Sequence, residues 1–144
     1  MDNQTVRRFA WVLAGGWMIF IFALSHQGAG ESASLSGSVL EIIINGLENL
    51  GIKGLHQETM SFILRKSAHF TIYLILGVFL FLANGKKGGW GILVTVLICG
   101  CYAITDEWHQ TFIGGRSGEM RDVLIDTLGG TCGALLTSFL RRFK

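Results

Sequence analysis

Four apolar runs limit what this chain can fold into: Phe9 to Leu24, Phe70 to Ala83, Trp90 to Thr105 and Val123 to Leu140. The first three carry no charge and the fourth carries only Asp126. A helix crossing a bilayer needs about 20 residues, within a range of roughly 17 to 25, and each run reaches that length once its polar ends are counted. A compact soluble bundle of buried helices is the competing arrangement. Such a domain needs charge to cover its surface, about a quarter of its residues. Here only 15% are charged, half are apolar, and the mean hydropathy is +0.48. The expectation is therefore an all-α integral membrane bundle of four transmembrane helices in a single domain, residues 1–144. The approximate crossings are 8–25, 67–84, 89–107 and 122–141. Arg7 and Arg8 precede the first run and ALSHQGAG follows it, the outline of a signal peptide. Three further crossings follow, so this helix reads as a start-transfer anchor that is retained.

Basic residues orient the bundle. Arg7 and Arg8, Lys86 and Lys87, and Arg141, Arg142 and Lys144 make seven of the twelve Lys and Arg, all in three short segments. The positive-inside rule then predicts cytoplasmic N and C termini. Residues 25 to 69 and 106 to 122 fall at the outer face. All four histidines and nine of the ten acids, counting Asp126, go with them. The net charge of +2 is thereby explained by topology and implies no nucleic-acid partner. Cys99, Cys101 and Cys132 sit inside predicted helices. Residues 99 and 101 point to different sides of a helix, so they suit neither a disulfide nor a metal pair.

Between the first two crossings, GAGESASLSGS reads as a Gly/Ser-rich loop. Leu35, Val39, Ile42, Ile43, Leu47 and Leu50 then recur at helical spacing with Glu41, Asn45 and Glu48 between them. That is an amphipathic helix on the outer surface or folded over the bundle. NGLENLGIKGL reads as its frayed end and a turn, and QETMSFILRKSAHF as a short amphipathic piece leading into the second crossing. Gly129 and Gly133 form a GxxxG spacing that lets helices approach closely, within the bundle or at a dimer face.

Polar residues converge at one membrane level. SHQ ends the first helix. On the second, Arg65, His69 and Tyr73 recur every four residues and Lys66 lies three before His69. On the third, Asp106 and Gln110 share a face, with His109 three residues from Asp106. On the fourth, Asp122 and Asp126 are four apart. Residues three or four apart share a helix face, so four stripes can line one cleft. Ionisable groups at membrane depth cost about 2.5 to 3.5 kcal/mol each on insertion scales, which makes a functional cleft the leading expectation. The alternative is a structural ion-pair network, with Arg116 or Arg121 clamping Asp122 and Asp106. Glu107 and Trp108 fall off the Asp106/Gln110 face, and Trp108 suits an interfacial anchor. His26, His56 and Glu119 read as solvated loop residues. In FIGGR the glycines permit a turn that returns Arg116, a bidentate fork for phosphate or carboxylate, over the cleft.

RKSAHFTIYLILG and DEWHQTFIGGRSGEMRDVLIDTLGGTCG, with the earlier FALSHQ and LSGS, resemble the VanZ-like family of small membrane proteins. The family pattern falls on Lys66, His69, Tyr73, Asp106, Glu107, Gln110, Arg116, Asp122, Gly129 and Gly133. Asp126 departs from it, since Asn is more typical there. The resemblance implies a multi-pass protein of the bacterial cell membrane and a link to low-level resistance to the glycopeptide teicoplanin. It transfers no catalytic assignment.

Two functions follow as expectations. In the first, an outer-facing cleft binds an amphiphilic anion: a membrane lipid headgroup, a lipid-linked wall precursor or a lipoglycopeptide. Lys66, Arg116 and Arg121 hold the anion, and Asp106, Gln110 and Asp122 orient those cations. Lys66, His69, Tyr73, Asp106, Gln110, Arg116, Asp122 and Asp126 are the ligand-binding candidates. In the second, His69 with Asp106 or Asp122 acts as general base and orienter, and Arg116 stabilises negative charge, in hydrolysis or transfer on a lipid-linked substrate. A metal variant would use His69, Asp106, Asp122 and Asp126. The spacing matches no known metal motif, so neither metal nor other cofactor is expected, and Ser25 and Ser67 lack a nucleophile signature.

Overall fold

The computed structural model describes residues 3–51, 54, 56–86 and 88–143. Lys87 and Lys144, two of the basic residues used to orient the bundle, lie outside the described residues, as do Ile52, Lys53 and Leu55 of the expected turn. Five α-helices follow in order: α1 (Asn3–Ser25), α2 (Ala29–Asn49), α3 (Gln57–Asn84), α4 (Gly88–Gln110) and α5 (Met120–Leu140). A 3-10 turn, Arg141–Phe143, ends the described chain. Helices α1, α3, α4 and α5 are each long and apolar enough to cross a membrane. With every described element helical, the chain is an all-α, multi-pass membrane protein.

Glycine explains the packing. Helices α3 and α5 form the tightest pair, with α4 against α5 and α1 against α3. A Cβ on Gly129 would strike the carbonyl of Phe70, and one on Gly133 the carbonyl of Leu74. On Gly77 it would strike the carbonyl of Gly130, and on Gly130 the sulfur of Cys99. The GxxxG face is thus consumed inside the bundle, where backbone approaches backbone. Large apolar side chains such as Phe9, Ile19, Leu97, Leu128 and Leu136 are left facing outward. Hydroxyls on α5 bond back to their own helix, Thr127 to the carbonyl of Val123 at 2.7 Å and Thr137 to that of Gly133 at 2.8 Å. Such bonds let polar residues sit in a bilayer with no partner on another helix. Helix α1 is tied across the bundle by two donors to backbone. The Trp17 indole donates to the Ile72 carbonyl at 2.8 Å, and the Tyr102 hydroxyl to the Met18 carbonyl at 2.6 Å.

Two segments differ from the sequence expectation. The stretch read as a Gly/Ser-rich loop is helical from Ala29 onward. Its first turn is held from outside, since the Ala29 amide donates to the Gly114 carbonyl at 3.3 Å. Tertiary contact thus outweighs the roughly 1 kcal/mol that each glycine costs a helix. The piece read as leading into the second crossing is continuous with it, so α3 has 28 residues. At 1.5 Å per residue that is roughly 42 Å, long enough to carry its first two turns beyond a hydrocarbon core of about 30 Å. Helix α2 buries none of its residues. One face, with Ala29, Ser32, Ser36 and Leu40, turns to α3 across a cleft. Leu35, Val39, Ile42 and Ile43 remain exposed, as an amphipathic helix at a membrane surface requires.

Candidate functional site

The C-terminal ends of α1 and α4 meet the N-terminal parts of α3 and α5, and nearly every candidate residue lies at this end. Three polar layers succeed one another along α3. In the outermost, Lys66 Nζ bonds Asp122 Oδ1 at 2.6 Å and Glu119 Oε2 at 3.0 Å. The ring of Phe62 lies 5.3 Å from the ammonium. Lys66 is 9% exposed and Asp122 7%, so this pair is withdrawn from solvent. One turn further in, His69 Nδ1 lies 3.2 Å from Asp126 Oδ1, and Asp126 is fully buried. In the third layer Tyr73 is fully buried.

Helix α4 closes the other side. Asp106 Oδ2 accepts from Ser25 Oγ at 2.9 Å and from Gln110 Nε2 at 3.4 Å. Gln110 also donates to Glu107 Oε1 at 3.2 Å, and its carbonyl oxygen accepts from Arg116 at 3.2 Å. The second oxygen of Glu107 accepts the backbone N–H of Glu119 at 2.8 Å, which ties the end of α4 to the start of α5. Two buried polar atoms have no partner among the described residues, Tyr73 Oη and Asp106 Oδ1.

The structure thus joins Lys66 to Asp122, His69 to Asp126, and Asp106, Gln110 and Arg116 into one chain of bonds. Among the described residues His69 hydrogen-bonds neither Asp106 nor Asp122, the partners expected from sequence; Asp126 takes that place. Nor do Arg116 and Arg121 clamp the acids: Arg116 bonds an amide, Arg121 is exposed, and Lys66 is the clamp. Among residues read as solvated, His56 is exposed. His26 bonds His109 at 3.3 Å on the outside of the bundle. Glu119 is the second partner of Lys66.

Glu107, named in the family pattern but set off the Asp106/Gln110 face and left out of the expected binding set, is only 4% exposed between α4 and α5. The signal was present, since Gln110 lies four residues after Asp106 and three after Glu107. A helical residue touches both such neighbours, whereas a stripe drawn only at intervals of four excludes the second.

A cleft of about 570 Å³ opens between α2, α3 and the turn after α4. Arg65, Arg116 and His69 line it, and all three also line an adjoining groove of about 180 Å³. The groove runs between α1, α2 and α3 past Leu24, Leu35, Ala68 and Ile72. Among the described residues neither arginine is paired with a carboxylate. Arg65 was seen on the α3 stripe but left out of the expected binding set. Lys66, which was included, is occupied by two acids.

No curated protein and no solved structure matches the chain. The profile of the VanZ/LLP1 family matches residues 9–141, which include the whole polar end and parts of every helix. The resemblance read from the RKSAHF and DEWHQ stretches therefore extends over nearly the full length, and the chain belongs to the VanZ/LLP1 family.

Proposed function

We propose that this membrane protein binds an amphiphilic anion, with the headgroup in the cleft and the tail in the adjoining groove. The observation that carries the reading is the position of Arg65 and Arg116. Both line the junction of the polar cleft and the apolar groove, and neither has a carboxylate partner among the described residues. Guanidinium forks suit phosphate or carboxylate oxygens, and Leu24, Leu35, Ala68 and Ile72 offer a path for an acyl chain. Membrane lipids, lipid-linked wall precursors and acylated glycopeptides share this chemistry. Sequestering or redistributing one of them would alter drug access, which is how the reading meets the family's link to teicoplanin.

Native mass spectrometry of the detergent-solubilised protein with phosphatidylglycerol and phosphatidylcholine tests the reading. Wild type is expected to retain the anionic lipid preferentially, and the Arg65→Gln/Arg116→Gln variant to lose that preference. Equal retention of both lipids by wild type would sink it.

The same proposal puts the polar end at the extracytoplasmic face, supported by the basic residues at the opposite end. In a chain with Cys99, Cys101 and Cys132 replaced by alanine, a cysteine at 116 should react with an impermeant maleimide on intact cells. One at 86 should not, and the reverse pattern would invert the topology.

A second reading, hydrolysis or transfer on a lipid-linked substrate, draws support from the His69–Asp126 contact, the geometry of a base and its orienter. Mass spectrometry of lipids and wall precursors from cells expressing wild type or Asp106→Asn at matched levels separates the two. A covalent species that appears or disappears with wild type alone makes this an enzyme. Identical inventories leave binding.

A further inference from the structure

The polar end holds more buried carboxyl groups than it has buried protein cations to pair with them. Asp106, Glu107, Asp122 and Asp126 are all at least nine-tenths buried. The one buried ammonium among the described residues, Lys66, is engaged by Asp122 and Glu119. The His69 imidazole bonds Asp126, and among the described residues no ammonium or guanidinium bonds Asp106, Glu107 or Asp126. Uncompensated charge at membrane depth is costly, so these carboxyls either keep their protons or share a further positive group.

Three of these residues have the arrangement of a metal centre. His69, Glu107 and Asp126 each present one donor atom, and the three atoms lie within 4.8 Å of one another. They come from three different helices, and α3–α5 contact through glycine makes their approach rigid. Bonds of about 2.0 to 2.2 Å to a central ion put donor pairs up to about 4 Å apart, so small side-chain rotations complete the contact. Glu107 is already oriented by the Gln110 amide and the Glu119 backbone N–H. Ligating carboxylates are characteristically held in this way by outer hydrogen bonds.

A separate observation points to a missing group at the same place. Tyr73 Oη and Asp106 Oδ1 are buried without a hydrogen-bond partner among the described residues. Tyr73 is one turn from His69 on the same face of α3, and Asp106 lines the adjoining groove together with His69. Water on an ion held by the three donors is a candidate partner for these atoms.

We infer that His69, Glu107 and Asp126 bind a divalent first-row transition-metal ion, zinc or manganese by donor type, at the inner end of the cleft. One imidazole and two carboxylates suit these ions. Calcium and magnesium favour all-oxygen sets. The inference does not depend on anion binding, since the donors and the charge are in place without it.

The test is metal content and metal-dependent stability of the full-length protein in detergent. After EDTA treatment and dialysis, wild type is titrated with zinc or manganese chloride. Bound metal is measured by plasma mass spectrometry and unfolding by differential scanning fluorimetry. The expected result is saturation at one equivalent and a rise in Tm. Glu107→Gln and Asp126→Asn keep side-chain shape and should lose both responses. Glu58→Gln, at the cleft mouth on α3, should keep them. Wild type that takes up neither ion and shows no Tm response would overturn the inference, as would undiminished uptake by both ligand variants. Because wild type alone can give the negative answer, poor folding of a variant does not shield the proposal.

Discussion

The two ends of this bundle solve the same structural problem with very different means. At the end where α3 turns into α4, Arg7 donates to the carbonyls of Ala83 and Asn84, each at 3.4 Å. Asn84 donates to the Gly91 carbonyl at 3.1 Å and to the Thr95 hydroxyl at 2.9 Å. Gly85 closes α3 in the left-handed conformation, φ 66°, which glycine adopts without penalty. Among the described residues no carboxylate takes part. At the other end, four buried carboxylates, a lysine and a histidine occupy the space between the same helices. The first end shows how little is needed to join helix termini in this fold. The surplus at the second end is what the proposed function draws on.

That comparison can be broken or sharpened by substitution. The largest effect is expected between the two ends, where both depend on one seam. Gly133→Leu drives a side chain into the Leu74 carbonyl, so α3 and α5 should separate and the protein should fail to accumulate as a monodisperse species in detergent. Size-exclusion chromatography checks this; a normal elution profile would mean that α5 is not held by backbone approach.

Next comes Lys66→Met. It leaves Asp122 buried without its cation, a loss of about 3 to 5 kcal/mol, read as a fall in Tm. Adding Asp122→Leu should recover much of it, because removing both charges is far cheaper than removing one. A double variant no better than the single one would mean that Lys66 acts through something other than this pair. Ser25→Ala deprives Asp106 of its 2.9 Å donor and should cost about 1 to 3 kcal/mol. The smallest effect belongs to the plain end. Arg7→Gln removes two long, partly exposed bonds and should cost about 1 kcal/mol or less. If Arg7→Gln proved as damaging as Lys66→Met, the contrast between structural and functional ends would fail.

Much of this was legible in the residues. The apolar runs are long enough to permit no other class of fold with so few charges, and intervals of three and four sorted polar residues into stripes. Periodicity reports which residues share a helix face, not which way that face turns. Lys66 and Arg65 are neighbours about 100° apart on α3. One is buried in an ion pair and the other opens onto the cleft, and nothing local distinguishes them. The Gly/Ser-rich start of α2 illustrates the other limit. Its composition favours a loop, and its helix is anchored by a contact with Gly114, some 85 residues away in the chain.

Membrane insertion, the number of crossings and the gathering of acids at one end follow from hydropathy and helical spacing, both properties of a segment by itself. The pairing of His69 with Asp126, the entry of Glu107 and the release of Arg65 to the cleft do not. They are set by the rotation of α3, α4 and α5 about their axes, which the close contacts at Gly77, Gly129, Gly130 and Gly133 lock in place. A glycine stripe announces that helices will approach. Only the packed structure says at what angle they meet, and a turn of one residue's worth would put a different carboxylate beside the histidine.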